Sequence, residues 1–134
     1  MTITLTRMTR FLSNKMTGEV KEQDLQVAKK ILREKFVIGI LKEFNKTLEH
    51  FEKYFEWQII NRPHRMKCVS NIISGGSNRH RFARDHVIKG SHAYTLLHWQ
   101  NQFDMKLYRY AQQLFREQAD FFDNIPRPTT GTLK

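Results

Sequence analysis

The sequence has a single cysteine, Cys68, so it has no partner for an internal disulfide and too few thiols for a cysteine-rich zinc site. With no local helix start or obvious partner to activate it, Cys68 is expected to be a small packed apolar group. Acidic residues are also scarce. The chain has 13 Asp and Glu against 23 Lys and Arg, a formal charge of +10. That balance favours phosphate, sulfate, nucleic acid or an anionic membrane surface as partner, without choosing among them. Long hydrophobic runs are missing too, and the longest falls far short of the roughly 18 to 20 residues that span a bilayer. No G-x-x-x-x-G-K-[ST] phosphate loop occurs, and no repeat of 20 to 50 residues. His80, His86 and His92 are spaced unlike helical zinc ligands or zinc fingers, and nothing suggests a nucleophilic triad.

What is present is the material of one ordinary domain. The 134 residues are 40% hydrophobic and 12% aromatic, outside the disordered range. Folded alone, a chain of this size buries roughly two thirds of its extended surface. Residues 1–18 carry Arg7, Arg10 and Lys15 with no acid, which fits either an organelle transit peptide or an internal stretch of a domain.

Thr6 to Ser13 reads as a turn of helix or an extended arm, closed by a break at Thr17-Gly18. Leu25, Ala28, Ile31 and Leu32 then trace one face of an amphipathic helix over Val20 to Lys35. Phe36-Val-Ile-Gly-Ile-Leu41 is a continuous apolar run, the pattern of a strand covered on both faces, and Gly39 implies another backbone passing close by. A second helix follows from Glu43 to about Trp57, with Phe44, Leu48, Phe51 and Phe55 as its core stripe and His50 at the surface or satisfied within it. Together they read as a βα unit.

Ile59 to Gly90 is the least regular stretch, broken by Pro63, Gly75, Gly76 and Gly90, and the most basic. Within it, Ile72 to Asn78 is a glycine-bearing turn or an anion-contacting loop. Asn78-Arg79-His80-Arg81 is the sharper anion candidate, since two guanidinium forks can grip phosphate oxygens in pairs. Beyond Ser91 the helical pattern returns. Asn101 and Asp104 stand as N-cap and acidic N3 residue between one helix containing His98 and another. The last helix has Phe103, Leu107, Tyr110, Ala111, Leu114, Phe115, Gln118 and Phe122 on its apolar face, Gln118 being the one polar member. Residues 123–134 read as a flexible Pro/Thr tail after a domain of residues 1–122. The expected fold class is mostly α with one or two short strands.

The order of these parts resembles the C-terminal half of the sulfotransferase family, and within it the carbohydrate sulfotransferases, including those acting on glycosaminoglycans. Phe36, Gly39, Glu43, Phe44, Leu48 and Glu52 match the family's strand and following helix. Asp104, Leu107, Tyr108, Tyr110, Ala111 and Phe115 match its closing helix, and Arg10 and Leu12 also occupy their places. The likeness covers about residues 6–122. It implies a P-loop-like α/β fold and transfer of a sulfuryl group from 3′-phosphoadenosine 5′-phosphosulfate (PAPS) to a hydroxyl, that of a glycan acceptor, with no metal. Nucleic acid is then an unlikely partner.

By position, the resemblance assigns donor binding to Ser77, Asn78, Arg79, His80 and Arg81, with Lys89 and Ser91 behind them. The family's phosphosulfate loop, the strand carrying its 3′-phosphate contacts and its usual catalytic base have no counterpart in the sequence, so the chain is expected to be inactive alone. Glu43 is better read as a helix-start acid facing the macrodipole than as that base. Glycan-directed members are usually anchored in the Golgi. The rival reading is a non-catalytic basic helical module that binds polyanions, or a remnant that serves only in interaction.

Overall fold

The computed structural model describes residues 6–57, 62–73 and 87–124, and these are mostly helical. In chain order the helices are α1 (Arg7–Ser13), α2 (Glu22–Lys35), α3 (Phe44–Tyr54), α4 (Arg62–Ile73), α5 (His92–Gln100) and α6 (Gln102–Asp123), with a 3₁₀ turn at Leu41–Glu43. The chain divides into two compact units, Met1–Phe36 with Ala83–Leu114, and Val37–Phe82 with Phe115–Lys134. Among the described residues, no helix is long and apolar enough to cross a membrane.

In the first unit α1 packs on α2. Leu12, Leu25, Ala28 and Leu107 form its core, with Ile31, Leu32 and Phe103 against them. The expected stripe of α2 is therefore the one that is buried. α1 is only seven residues long, too short to stand on propensity alone. Asp104 holds its start: the carboxylate accepts from the N–H of Met8 (3.1 Å), the N–H of Thr9 (2.8 Å) and Thr9 Oγ1 (2.7 Å). Its end is fixed by Asn14 in the left-handed region (φ 56°) and by Arg10, whose guanidinium donates to the carbonyls of Lys15 (3.2 Å) and Gly18 (2.8 Å). Asp24 ties the next helix start down, accepting from the N–H of Lys21 (2.7 Å) and from Lys15 Nζ (3.1 Å). The first of these bonds, then the second, holds its carboxyl below the usual range.

The second unit corrects three expectations. No strand occurs among the described residues. Phe36 (φ −127°, ψ 137°) and Ile40 (φ −116°, ψ 118°) are extended, but no described strand lies beside them to form a ladder. Burial alternates along the run, with Ile38 and Ile40 inside and Phe36, Gly39 and Leu41 exposed, so the run is not buried throughout.

The stripe of α3 is also rotated. Its buried residues are Thr47 and His50, while Phe55 is exposed. The helix stops at Tyr54, short of Trp57, because Glu56 turns left-handed (φ 53°). The N–H groups of Glu56 and Trp57 then close back on the carbonyls of Lys53 (3.4 Å) and Glu52 (3.0 Å).

Third, Arg62–Ile73 is helical where an irregular segment was expected. Pro63 is the reason: in the first turn its missing N–H has no intrahelical partner to lose, so it starts a helix there and breaks none. Cys68 lies on this helix and is exposed, not packed, because the buried position of α4 falls at Val69. Arg65 fastens α4 to α3 with a two-pronged ion pair, Nε to Glu52 Oε1 at 2.5 Å and a terminal nitrogen to Oε2 at 3.0 Å.

The break between α5 and α6 falls at Asn101 as expected, for a different reason. Asn101 donates its side-chain amide back to the Leu97 carbonyl (2.8 Å), and Asp104 is engaged with α1.

Candidate anion-binding site

The site residues expected from the sequence fall into two groups. Ser77, Asn78, Arg79, His80 and Arg81 lie outside the described residues, as does the tail from 125 onwards. Lys89 and Ser91 lie within them, at the turn that leads into α5.

That turn is built by local chemistry. Gly90 takes a positive φ (90°) that a side chain would strain, and the N–H of Ser91 closes the turn on the Ile88 carbonyl at 3.0 Å. Ser91 is extended (φ −68°, ψ 160°) and caps α5, its hydroxyl oxygen accepting from the N–H of Tyr94 at 3.1 Å. Capping uses a lone pair and leaves the hydroxyl proton to donate elsewhere. The first turn of α5 has no acidic residue, and Lys89 is exposed beside it with no ion pair among the described residues. A cation, a hydroxyl donor and a helix start together suit an anion's oxygens.

Other cations of the basic segment are differently placed. Arg65 is committed to Glu52, whose hydrogen bond and charge raise the guanidinium pKa against the opposing effect of burial, so it adds no net charge to the surface. Lys67 is exposed. Among the described residues no three His, Cys, Asp or Glu side chains gather as a metal site would need.

The residues that carry the family resemblance have definable jobs here. Asp104 caps α1, Leu107 and Phe115 are core, and Glu52 holds Arg65. Tyr110 accepts from Arg33 Nε through its hydroxyl (2.7 Å), while Lys29 Nζ and Arg33 Cζ approach its ring at 5.3 and 5.6 Å. Glu43 lies at the start of α3 with Lys46 Nζ at 3.9 Å, and its side chain caps no N–H.

Gly39 also has a specific reason: a Cβ there would meet Thr47 Cγ2 at 2.6 Å and Phe51 Cζ at 2.9 Å, side chains where a second backbone was expected. Gln118 Oε1 accepts from the N–H of Ile38 (2.9 Å), which accounts for the one polar residue on the apolar face of α6. Sequence reasoning gave Thr47 no such role and put His50 at the surface or satisfied, whereas it is buried and its Nδ1 has no hydrogen-bond partner among the described residues. Thr47 Oγ1 accepts from the N–H of Ile40 (2.9 Å) and donates to its carbonyl (3.1 Å). His50 lies buried against the rings of Phe115 and Phe122, at centroid distances of 5.0 and 4.9 Å.

Comparison of the chain with protein-family models, with curated proteins and with solved structures gave no match.

Proposed function

We propose that this chain is the C-terminal part of a sulfotransferase that moves a sulfuryl group from PAPS to a hydroxyl, with a carbohydrate as acceptor class. The observation that carries the proposal is the order of parts along the sequence. FVIGIL leads into LKEFNKTLEHFE, the basic SNRHR stretch follows, and DMKLYRYAQQLF closes the set. Three features of the fold support it: extended backbone at Phe36 and Ile40 ahead of α3, the Lys89–Ser91 turn at the start of α5, and α6 as the long closing helix.

The chemistry asks for positive charge and placement. The acceptor oxygen attacks sulfur, the bond from sulfur to the 5′-phosphate oxygen breaks, adenosine 3′,5′-bisphosphate leaves, and the hydroxyl proton passes to a base. On this reading Ser77, Asn78, Arg79, His80 and Arg81, with Lys89 and Ser91, hold the bisphosphate of the donor, and the proton is taken by a group outside this set. The chain binds the donor's nucleotide end without completing transfer by itself.

Titration with adenosine 3′,5′-bisphosphate tests this. Saturable one-to-one binding, weakened about tenfold or more in Arg79→Ala and in Arg81→Ala, supports the donor site, since a charged hydrogen bond is worth roughly 1.5 to 3 kcal/mol. Weak binding that follows salt concentration and ignores the nucleotide overturns it in favour of a polyanion-binding module.

A further inference from the structure

We propose that Val37–Gly39 offers an open backbone edge that accepts an extended polypeptide strand with acidic ends, joined by main-chain hydrogen bonds. Extended backbone sends the N–H and C=O groups of successive residues to opposite edges, so residues two apart share an edge at ~6.7 Å spacing. Ile38 and Ile40 share one edge, and side chains seal it: Gln118 takes the N–H of Ile38, and Thr47 takes both the N–H and the carbonyl of Ile40.

The other edge belongs to Val37 and Gly39. Among the described residues, the backbone of neither makes a hydrogen bond. Gly39 is exposed even though Thr47 and Phe51 fill the space where its Cβ would be. The surface it shows to solvent is therefore its peptide backbone.

Alternating donors and acceptors at strand spacing are complementary to another extended chain. Two features narrow its character. Leu41, 81% exposed at the end of the run, offers an apolar contact. Lys42 beside it is exposed and has no ion pair among the described residues, so a carboxylate on the incoming strand would meet an unpaired cation. A second copy is disfavoured, because two chains of charge +10 repel each other, whereas an acidic-ended strand is drawn in. The edge does not depend on the donor reading.

The test uses the isotope-labelled full chain and a short capped peptide of alternating valine and threonine with glutamates at both ends. The Gly39 amide resonance should shift and its exchange should slow. A lysine-ended peptide should bind about tenfold more weakly, and a peptide N-methylated at alternate residues should not bind. Lys42→Glu, at an exposed position, should reverse the preference between the two charged peptides. No change at Gly39 with millimolar peptide overturns the proposal. Equal affinity for both peptide ends does the same, as does concentration-dependent protection of Gly39 without peptide, which would make the occupant a second copy.

Discussion

Leu107 and Gln118 lie on the same helix and serve two different kinds of interior. In the first unit, Leu107 joins Leu12, Leu25 and Ala28 in a small apolar core, and the polar groups that matter, Asp104 and Asp24, hold helix starts at its margin. The second unit puts polar groups inside. Thr47 and Gln118 serve the backbone of an extended run, and His50 is held against two phenylalanines. A helix satisfies its own backbone apart from its ends, so a helical unit can be apolar within and polar at its caps. An extended segment without a neighbouring strand cannot, and buried side chains must take the ladder's place.

Leu25→Ala should break the first interior most severely. The side chain is fully buried, and its loss should cost about 2 to 5 kcal/mol, read by denaturant unfolding together with loss of amide protection in α1 and α2. Thr47→Val is the corresponding change in the second. It keeps shape but strands the buried N–H of Ile40, whose carbonyl keeps the Glu43 N–H (2.9 Å), so a cost of about 1 to 3 kcal/mol and faster exchange at Ile40 are expected. If Thr47→Val proves neutral, the side-chain ladder is not what holds the segment.

Asp104→Ala should cost roughly 1 to 2 kcal/mol, with fraying confined to α1 in hydrogen exchange. The smallest effect at neutral pH concerns His50, where it vanishes and appears only in acid. Desolvation by burial, with Lys53 and Lys46 also disfavouring its charged form, outweighs the opposing Asp123 and Glu49 and holds the His50 pKa below 6.5. The unfolded chain therefore takes up the proton first. Stability should fall as pH drops below about 6.5 and level off below the folded-state value. His50→Leu should lose this component of the pH profile, and an unchanged slope would show that the imidazole is not buried as a neutral group.

Legibility in the sequence followed how local each cause was. The α2 face and the break at Asn101 were readable because helical periodicity and turn chemistry act within a few residues. α4 was not, since Pro63 counts as a breaker until the helix start is known. The rotated face of α3 was hidden by four aromatic and aliphatic residues at helical spacing, with the buried positions falling on Thr47 and His50 beside them. Gln118 did stand out as the polar residue on an apolar face, although nothing local said which N–H it would meet. Of the candidate site, Lys89 and Ser91 can be placed at a helix start, and that much follows from Gly90-Ser91 preceding a helical pattern.

By itself the sequence determined a basic, mostly helical chain, an apolar run at Phe36–Leu41 and the amphipathic faces of α2 and α6, because charge and periodicity are properties of neighbouring residues. Only the tertiary structure decided that Asp104 caps α1, that Arg65 is bound by Glu52, and that Thr47 and Gln118 stand in for a strand. Each of these joins a side chain to a group beyond its own helical turn or on another element, and hydrogen-bonding partners at that range are fixed by packing.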